Sequence, residues 1–159
     1  MDELFMQEAL KEARLAGEAG EIPVGAVIVK DGKIVGRGRN CAESTNDPTN
    51  HAEMMAIREA CRNLGVWRLA GCEMYVTLEP CSMCAGAIVL ARISKLYIGT
   101  VDPKSGACVS LSNITTDERL NHRVEQYVGL MQEDCSNILK DFFKKLRKRP
   151  KKNLEEIEK

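Results

Sequence analysis

His51-Ala52-Glu53 and, further along the chain, Pro80-Cys81-Ser82-Met83-Cys84 supply the residue types from which a hydrolytic metal site is made. One imidazole and two thiols are ligands that suit zinc, and the carboxylate of Glu53 is too close to the histidine to be a convenient fourth ligand. A zinc ion with three protein ligands keeps one position for water, whose pKa it can lower to around 7, so that hydroxide becomes available at neutral pH. On this reading His51, Cys81 and Cys84 hold about one zinc ion per chain, and Glu53 is the general acid/base that takes a proton from the water and returns it elsewhere. Two alternatives stand beside it. A fourth protein ligand, Cys41, Cys108 or His122, would close the shell into a structural zinc knuckle, and Glu53 would be a solvated carboxylate at a helix start.

The elements around these residues are set by local pattern. Cys81 and Cys84 stand at i and i+3 at the start of a helical segment, so their sulfurs share one side, and the unpaired N–H groups and positive end of the helix favour thiolate. Pro80 restricts Glu79 to an extended conformation and closes the preceding strand. Ala52 to Leu64 is a run of good helix formers with Met55, Ile57, Ala60 and Leu64 at helical spacing, ended by Gly65, so His51 and Glu53 belong to its first turn. The simplest arrangement brings two helix starts together around one metal.

Upstream, Leu4, Phe5, Ala9, Leu10, Ala13 and Ala16 give residues 2–19 a helical period that stops near Gly17 and Gly20. Val24 to Val29, the turn dipeptide Asp31-Gly32 and Ile34-Val35 predict an antiparallel hairpin, and residues 40–50 are turn formers that read as a loop leading to His51. Downstream, Glu73 to Leu78 alternates as a strand, Cys81 to Ala91 is helical, and Lys95 to Ile98 is a short strand before Gly99, an order that implies a parallel crossover. His122 to Val128 is a candidate last strand and Met131 to Arg149 a long helix. The expected fold is α/β, a three-layer α/β/α arrangement of a mixed five-stranded sheet flanked by helices, with one domain over 1–149 and a charged tail over 150–159.

Composition narrows the field. A chain of 159 residues has room for one domain with a hydrophobic core, and 23 basic against 23 acidic residues leave no net charge to recruit nucleic acid or an anionic membrane. The acidic start Met1-Asp2-Glu3 and the lack of any apolar run of about 20 residues predict a cytoplasmic protein without membrane attachment. Seven scattered cysteines, an odd number, read as reduced thiols, five of them small buried hydrophobes. Lys144, Lys145, Arg147, Lys148, Arg149, Lys151 and Lys152 crowd the end of the last helix near Phe142 and Phe143; they could meet phosphates, or be a solvated helix end that favours cations.

The pattern H-x-E…P-C-x-x-C is the signature of zinc nucleobase deaminases. With Ile22-Pro23-Val24-Gly25-Ala26-Val27, Asp47-Pro48-Thr49, Tyr75-Val76-Thr77-Leu78-Glu79-Pro80, Cys84-Ala85-Gly86-Ala87-Ile88, Asp102-Pro103-Lys104 and Asn121-His122-Arg123-Val124-Glu125, the chain resembles the bacterial tRNA adenosine deaminases over almost its whole length. Related free-base deaminases share the zinc motifs but generally lack the last stretch. The resemblance implies a cytidine-deaminase-like fold, a homodimer, and hydrolysis of adenosine to inosine at the wobble position of a tRNA anticodon stem-loop, with Glu53 protonating the ring and then the leaving ammonia. It also implies that Asn40 bonds a base edge, that the Ala52 N–H lies beside the base, that Asp102, with Lys104 and Ser105, approaches neighbouring nucleotides, and that Phe143 and the basic tail lie near the anticodon stem. Plainer roles compete at each: a turn at Asn40 and at Asp102-Pro103, a core position for Phe143, and a structural one for His122.

Two positions depart from the family pattern. Val109 stands where glycine is usual, which puts the shape of that loop in doubt, and Asn50 replaces a small residue before the histidine, where it could cap the next helix or reach the pocket. The competing functions are a deaminase of a free nucleobase or nucleoside, such as guanine or adenine, and a catalytically silent RNA-binding or dimerisation subunit.

Overall fold

A computed structural model describes residues 2–148; Arg149, expected to end the last helix, and the 150–159 tail with Lys151 and Lys152 lie outside the described residues. The first helix, α1 (Asp2–Glu18), buries Met6, Ala9, Leu10, Ala13 and Ala16. Its inward stripe begins at Phe5, partly buried against Tyr75, while Leu4, counted as apolar-face in the sequence, is 59% exposed. The hairpin forms as expected: β1 (Gly25–Lys30) and β2 (Lys33–Arg39) pair antiparallel, and Asp31 and Gly32 both have positive φ, 50° and 75°, the type I′ geometry that matches strand twist.

The chain continues through α2 (Ala42–Thr45) and α3 (Ala52–Leu64) to β3 (Glu73–Leu78), α4 (Ser82–Leu90), β4 (Lys95–Thr100), β5 (Glu125–Val128) and α5 (Gln132–Arg147). The sheet order is β2-β1-β3-β4-β5, with β1 antiparallel to its neighbours and β3, β4 and β5 parallel, so the mixed five-stranded sheet is as expected. Alternate residues serve opposite layers. Ala26, Ile28, Met74, Val76, Leu96 and Ile98 pack with α3 and α4, whereas Val27, Val29, Tyr75 and Tyr97 pack with α1 and α5.

Small residues bring the helices close to the sheet. Inward positions of α3 are Ala52, Ala56 and Ala60, and a Cβ added at Gly36 or Gly38 of β2 would stand 2.8 Å from the Ala60 nitrogen or 2.6 Å from the Ala56 nitrogen. Met55, Ile57 and Leu64, three of the positions used to recognise this helix, are only partly buried.

Three boundaries differ from the sequence reading. The 40–50 loop contains the one-turn helix α2, because buried Glu21 accepts the Ser44 N–H at 2.6 Å and the Glu43 N–H at 3.3 Å. β4 runs through Gly99 to Thr100, since glycine there admits α5: a Cβ would lie 2.7 Å from the Thr77 carbonyl oxygen and 2.8 Å from the Cys135 Cβ. β5 starts only at Glu125, because the His122 Nε2–H donates to the Ile93 carbonyl (2.7 Å) and the Val124 N–H to Thr115 (2.8 Å) instead of joining the ladder.

Tyr75, Tyr97 and Tyr127 are in register on β3, β4 and β5, with ring centroids 4.4 and 4.9 Å apart and nearly parallel planes. Among the described residues no helix is long and apolar enough to cross a membrane.

Candidate active site

His51 is the N-cap of α3 and Cys81 the N-cap of α4, both with extended backbone and neither using its side chain as a cap. Both side chains are therefore free to turn toward a common point, and Cys84 adds its sulfur from the first turn of α4. The Nδ1 of His51 lies 3.6 Å from the Cys81 sulfur and 3.7 Å from the Cys84 sulfur. A tetrahedral zinc site with ordinary Zn–N and Zn–S lengths requires N···S edges of about 3.6 Å, so the three donors fit a zinc ion. Among the described residues the group comprises these three alone, without Cys41, Cys108 or His122. A closed knuckle thus lacks its fourth ligand, and His122 has the structural role described above.

The electrostatics agree with a cation site. The Cys84 thiol and the His51 ring donate toward the Cys81 sulfur and hold it down to about 4, while the adjacent Cys81 charge, with burial, pushes Cys84 up. One proton is in effect shared between the two sulfurs, and a dication would displace it. The Cys81 sulfur raises the His51 imidazole above its ordinary value. Glu53, in the first turn of α3, is 3% exposed. Burial pushes its carboxyl up to about 7, a value at which it can both take and give a proton near neutral pH, although a dication beside it would pull the value down.

His51, Glu53 and Cys81 line a cleft of about 160 Å³ with Ile22, Val24, Asn40, Ala52, Leu78, Glu79, Asp102 and Ser105. Asn40 leaves its Oδ1 buried without a hydrogen-bond partner while its Nδ2 makes a long 3.4 Å contact to the Ile22 carbonyl, so the cleft wall contains an unsatisfied polar atom. Ala52 presents one of the N–H groups that a helix start leaves free. Asp102 is locked within its loop, accepting the Lys104 N–H at 3.1 Å and the Ser105 hydroxyl at 2.7 Å. Phe143 is not in this cleft. It lies, 39% exposed, in a neighbouring groove with Lys104, Lys140 and Arg147, and the Val101–Ser105 segment separates the two.

Sequence reasoning passed over the apolar walls, Ile22, Val24 and Leu78, and above all Glu79. That carboxylate is 2% exposed and accepts five hydrogen bonds, from the N–H groups of Asp102, Cys108, Val109 and Ser110 and from the Ser110 hydroxyl. Burial alone would raise its pKa, but the bonds from Ser110, Asp102 and Val109 outweigh this and hold it at about 2. A glutamate closing an apolar strand immediately before Pro80-Cys81 was the available clue.

The two family departures resolve simply. Val109 lies outside the positive-φ residues and donates its N–H to Glu79 at 2.8 Å, so a β-branched side chain fits that loop. Asn50 neither caps α3 nor reaches the cleft: its amide donates to the Thr45 hydroxyl (2.9 Å) and accepts from Arg58 (2.8 Å).

Comparison with known proteins adds an independent line. The family model of the MafB19-like deaminases matches residues 1–147. The tRNA-specific adenosine deaminase of Bacillus subtilis is 50% identical over 98% of both chains, and that of Aquifex aeolicus 53% identical over 91% of this chain and 95% of its own. A solved structure from work on A-to-I editing by tRNA deaminases at the wobble position superposes with TM-score 0.82 at 48% identity, covering 85% of this chain and 98% of the other. A guanine deaminase from Bacillus subtilis gives TM-score 0.60 at 46% identity over 62% of this chain and 64% of its own.

Proposed function

This chain belongs to the tRNA-specific adenosine deaminase family, and on that premise we propose that it hydrolyses adenosine to inosine at the wobble position of a tRNA anticodon. The observation that carries the substrate is the Val101–Ser105 segment shared by the cleft and the Phe143 groove: a base seated in the cleft sends its flanking phosphates past Lys104 toward Lys140 and Arg147. A free base has no use for that groove.

His51, Cys81 and Cys84 would hold the zinc ion. When bound, zinc supplies Lewis acidity that makes water a nucleophile at neutral pH. Glu53 removes a proton from the water that adds at C6 of adenine, delivers it to ring nitrogen N1, and then carries a proton to the departing amine, so adenosine and water give inosine and ammonia. The buried Glu53 carboxyl lies in the first turn of α3, two residues from His51, where it can reach the water for both transfers. Asn40 completes its unpaired Oδ1 on the base edge, and the Ala52 N–H lies beside the base. Ile22, Val24 and Leu78 give the ring an apolar seat and exclude water. Asp102 holds the nearby loop against the adjoining nucleotides, and Phe143 supplies a ring for the strand leaving the cleft.

We take residues 1–149 as the deaminase domain and 150–159 as a charged tail, in a cytoplasmic enzyme. The homodimer is supported by α4, which has no charged residue and presents Met83, Gly86, Ala87 and Leu90 at helical spacing as partly or fully exposed positions, with Trp67 exposed near its end. The test is incubation with an anticodon stem-loop bearing adenosine at the wobble position and, separately, with free guanine and adenine. Inosine in the RNA alone is the expected result. Ammonia from a free base alone would replace this reading with that of a free-base deaminase, and no turnover of any substrate would leave a silent RNA-binding subunit.

A further inference from the structure

We propose that Glu79 is a positioning residue: its carboxylate fixes the Asp102–Ser110 loop as one wall of the cleft and thereby sets the affinity for RNA. The substrate in this statement rests on the reading given above. Glu79 directly follows β3, two residues before Cys81, so its backbone leads straight into the candidate metal site. Its side chain turns away and gathers a separate loop. Oε1 accepts the Asp102 N–H at 3.0 Å and the Ser110 hydroxyl at 2.6 Å; Oε2 accepts the consecutive N–H groups of Cys108, Val109 and Ser110 at 3.1, 2.8 and 2.9 Å.

Converging N–H groups of this kind form an anion nest, and here the anion is the protein's own side chain. None of the described ion pairs includes Glu79, so the loop is what the charge serves. The fit is close: a Cβ at Gly106 would meet the carboxylate, 2.5 Å from Oε1, so a larger residue there expels it. The far side of the same loop carries Asp102 and Ser105 into the cleft and Lys104 into the Phe143 groove. Glu79 thus joins the segment between β3 and the cysteine-bearing helix α4 to the surface that meets the nucleotides around the target base, acting through the loop.

The test is Glu79→Gln. The amide oxygen can keep the three N–H bonds made by Oε2, and the amide nitrogen can donate to the Ser110 hydroxyl, but it faces the Asp102 N–H with another donor, so the substitution breaks chiefly that latch. Expected results are unchanged zinc per chain, KM for the wobble-adenosine stem-loop raised about tenfold, and kcat within about threefold of wild type. Hydrogen exchange without RNA should show the Asp102 amide opening at least about tenfold faster. A loss confined to kcat with KM unchanged, or unchanged exchange at Asp102, overturns the proposal. If Glu79→Gln does not fold, Gly106→Ala, which displaces the carboxylate, must give the same faster exchange. Failure of the wild-type protein to deaminate the stem-loop removes the substrate reading, whereas the exchange arm judges the loop anchor by itself.

Discussion

Gly38 of β2 lies directly beneath Ala52 of α3, so close that a Cβ on the glycine would land on the Ala52 carbonyl oxygen and 2.6 Å from the Ala56 nitrogen. The position of His51, one residue before Ala52, is thereby set by a strand that contributes nothing to the chemistry. Gly38→Ala is expected to lower stability by about 1–3 kcal/mol and to reduce zinc per chain, since backbone cannot move aside as a side chain can. Urea unfolding and metal analysis check this; wild-type stability with full zinc would show that the contact does not hold the site.

Zinc content tests the ligand set. Wild-type protein should bind about one zinc per chain, and the double variant His51→Ala, Cys81→Ala almost none. Full occupancy in that variant would mean that the metal sits elsewhere.

Glu53→Ala should keep zinc and fold while losing deamination by about 10²–10⁴-fold, the usual weight of a positioned acid/base. Replacing a buried, partly protonated carboxyl with a methyl group leaves no orphaned charge, so the thermal midpoint serves as the control. Turnover at the wild-type rate would end the assignment of the proton shuttle to Glu53.

Much of this was legible from the sequence. The convergence of His51, Cys81 and Cys84 with Glu53 beside them was visible because metal-ligand chemistry requires particular residue types at particular helix positions, and the hairpin because Asp31-Gly32 must take positive φ. What escaped was set by contacts distant in the chain. Gly36 and Gly38 carry no chemistry, yet they decide how near α3 approaches. Leu4 and Met6 are equally apolar, and only the rotation of α1 on the sheet exposes the one and buries the other. Glu79 looked like punctuation between a strand and a cysteine until four N–H groups from residues 102–110 closed on it.

Cys135 gives a prediction in pH. Burial pushes its thiol from 9.0 up to about 12, so the folded state keeps a proton that the unfolded chain loses. Its contribution is therefore complete below pH 9 and falls as pH rises toward about 12, by about 1.4 kcal/mol per unit across that window. Wild-type stability should decline more steeply than that of Cys135→Ala between pH 9 and 10.5, and native Cys135 should resist iodoacetamide at pH 9. Parallel declines would show that the thiol is accessible to water.

The Phe143 groove can be tested by salt and by truncation. Phe143→Ala should raise KM for the stem-loop by a factor corresponding to about 1–3 kcal/mol of lost stacking, and Lys140→Ala should reduce the slope of log affinity against log salt by about 1. Binding curves at several salt concentrations measure both. Unchanged affinity in both variants would move the RNA off this groove.

The register that aligns Tyr75, Tyr97 and Tyr127 across three parallel strands has an optical consequence. These are all the tyrosines in the chain, stacked at 4.4 and 4.9 Å, and the lone tryptophan, Trp67, is 69% exposed on the opposite layer's loop. Coupled phenol transitions should give a near-ultraviolet circular dichroism band that disappears when β3, β4 and β5 separate, while indole fluorescence reports the surface around α4. The protein therefore carries two unlabelled probes, one for its sheet and one for the exposed surface around Trp67.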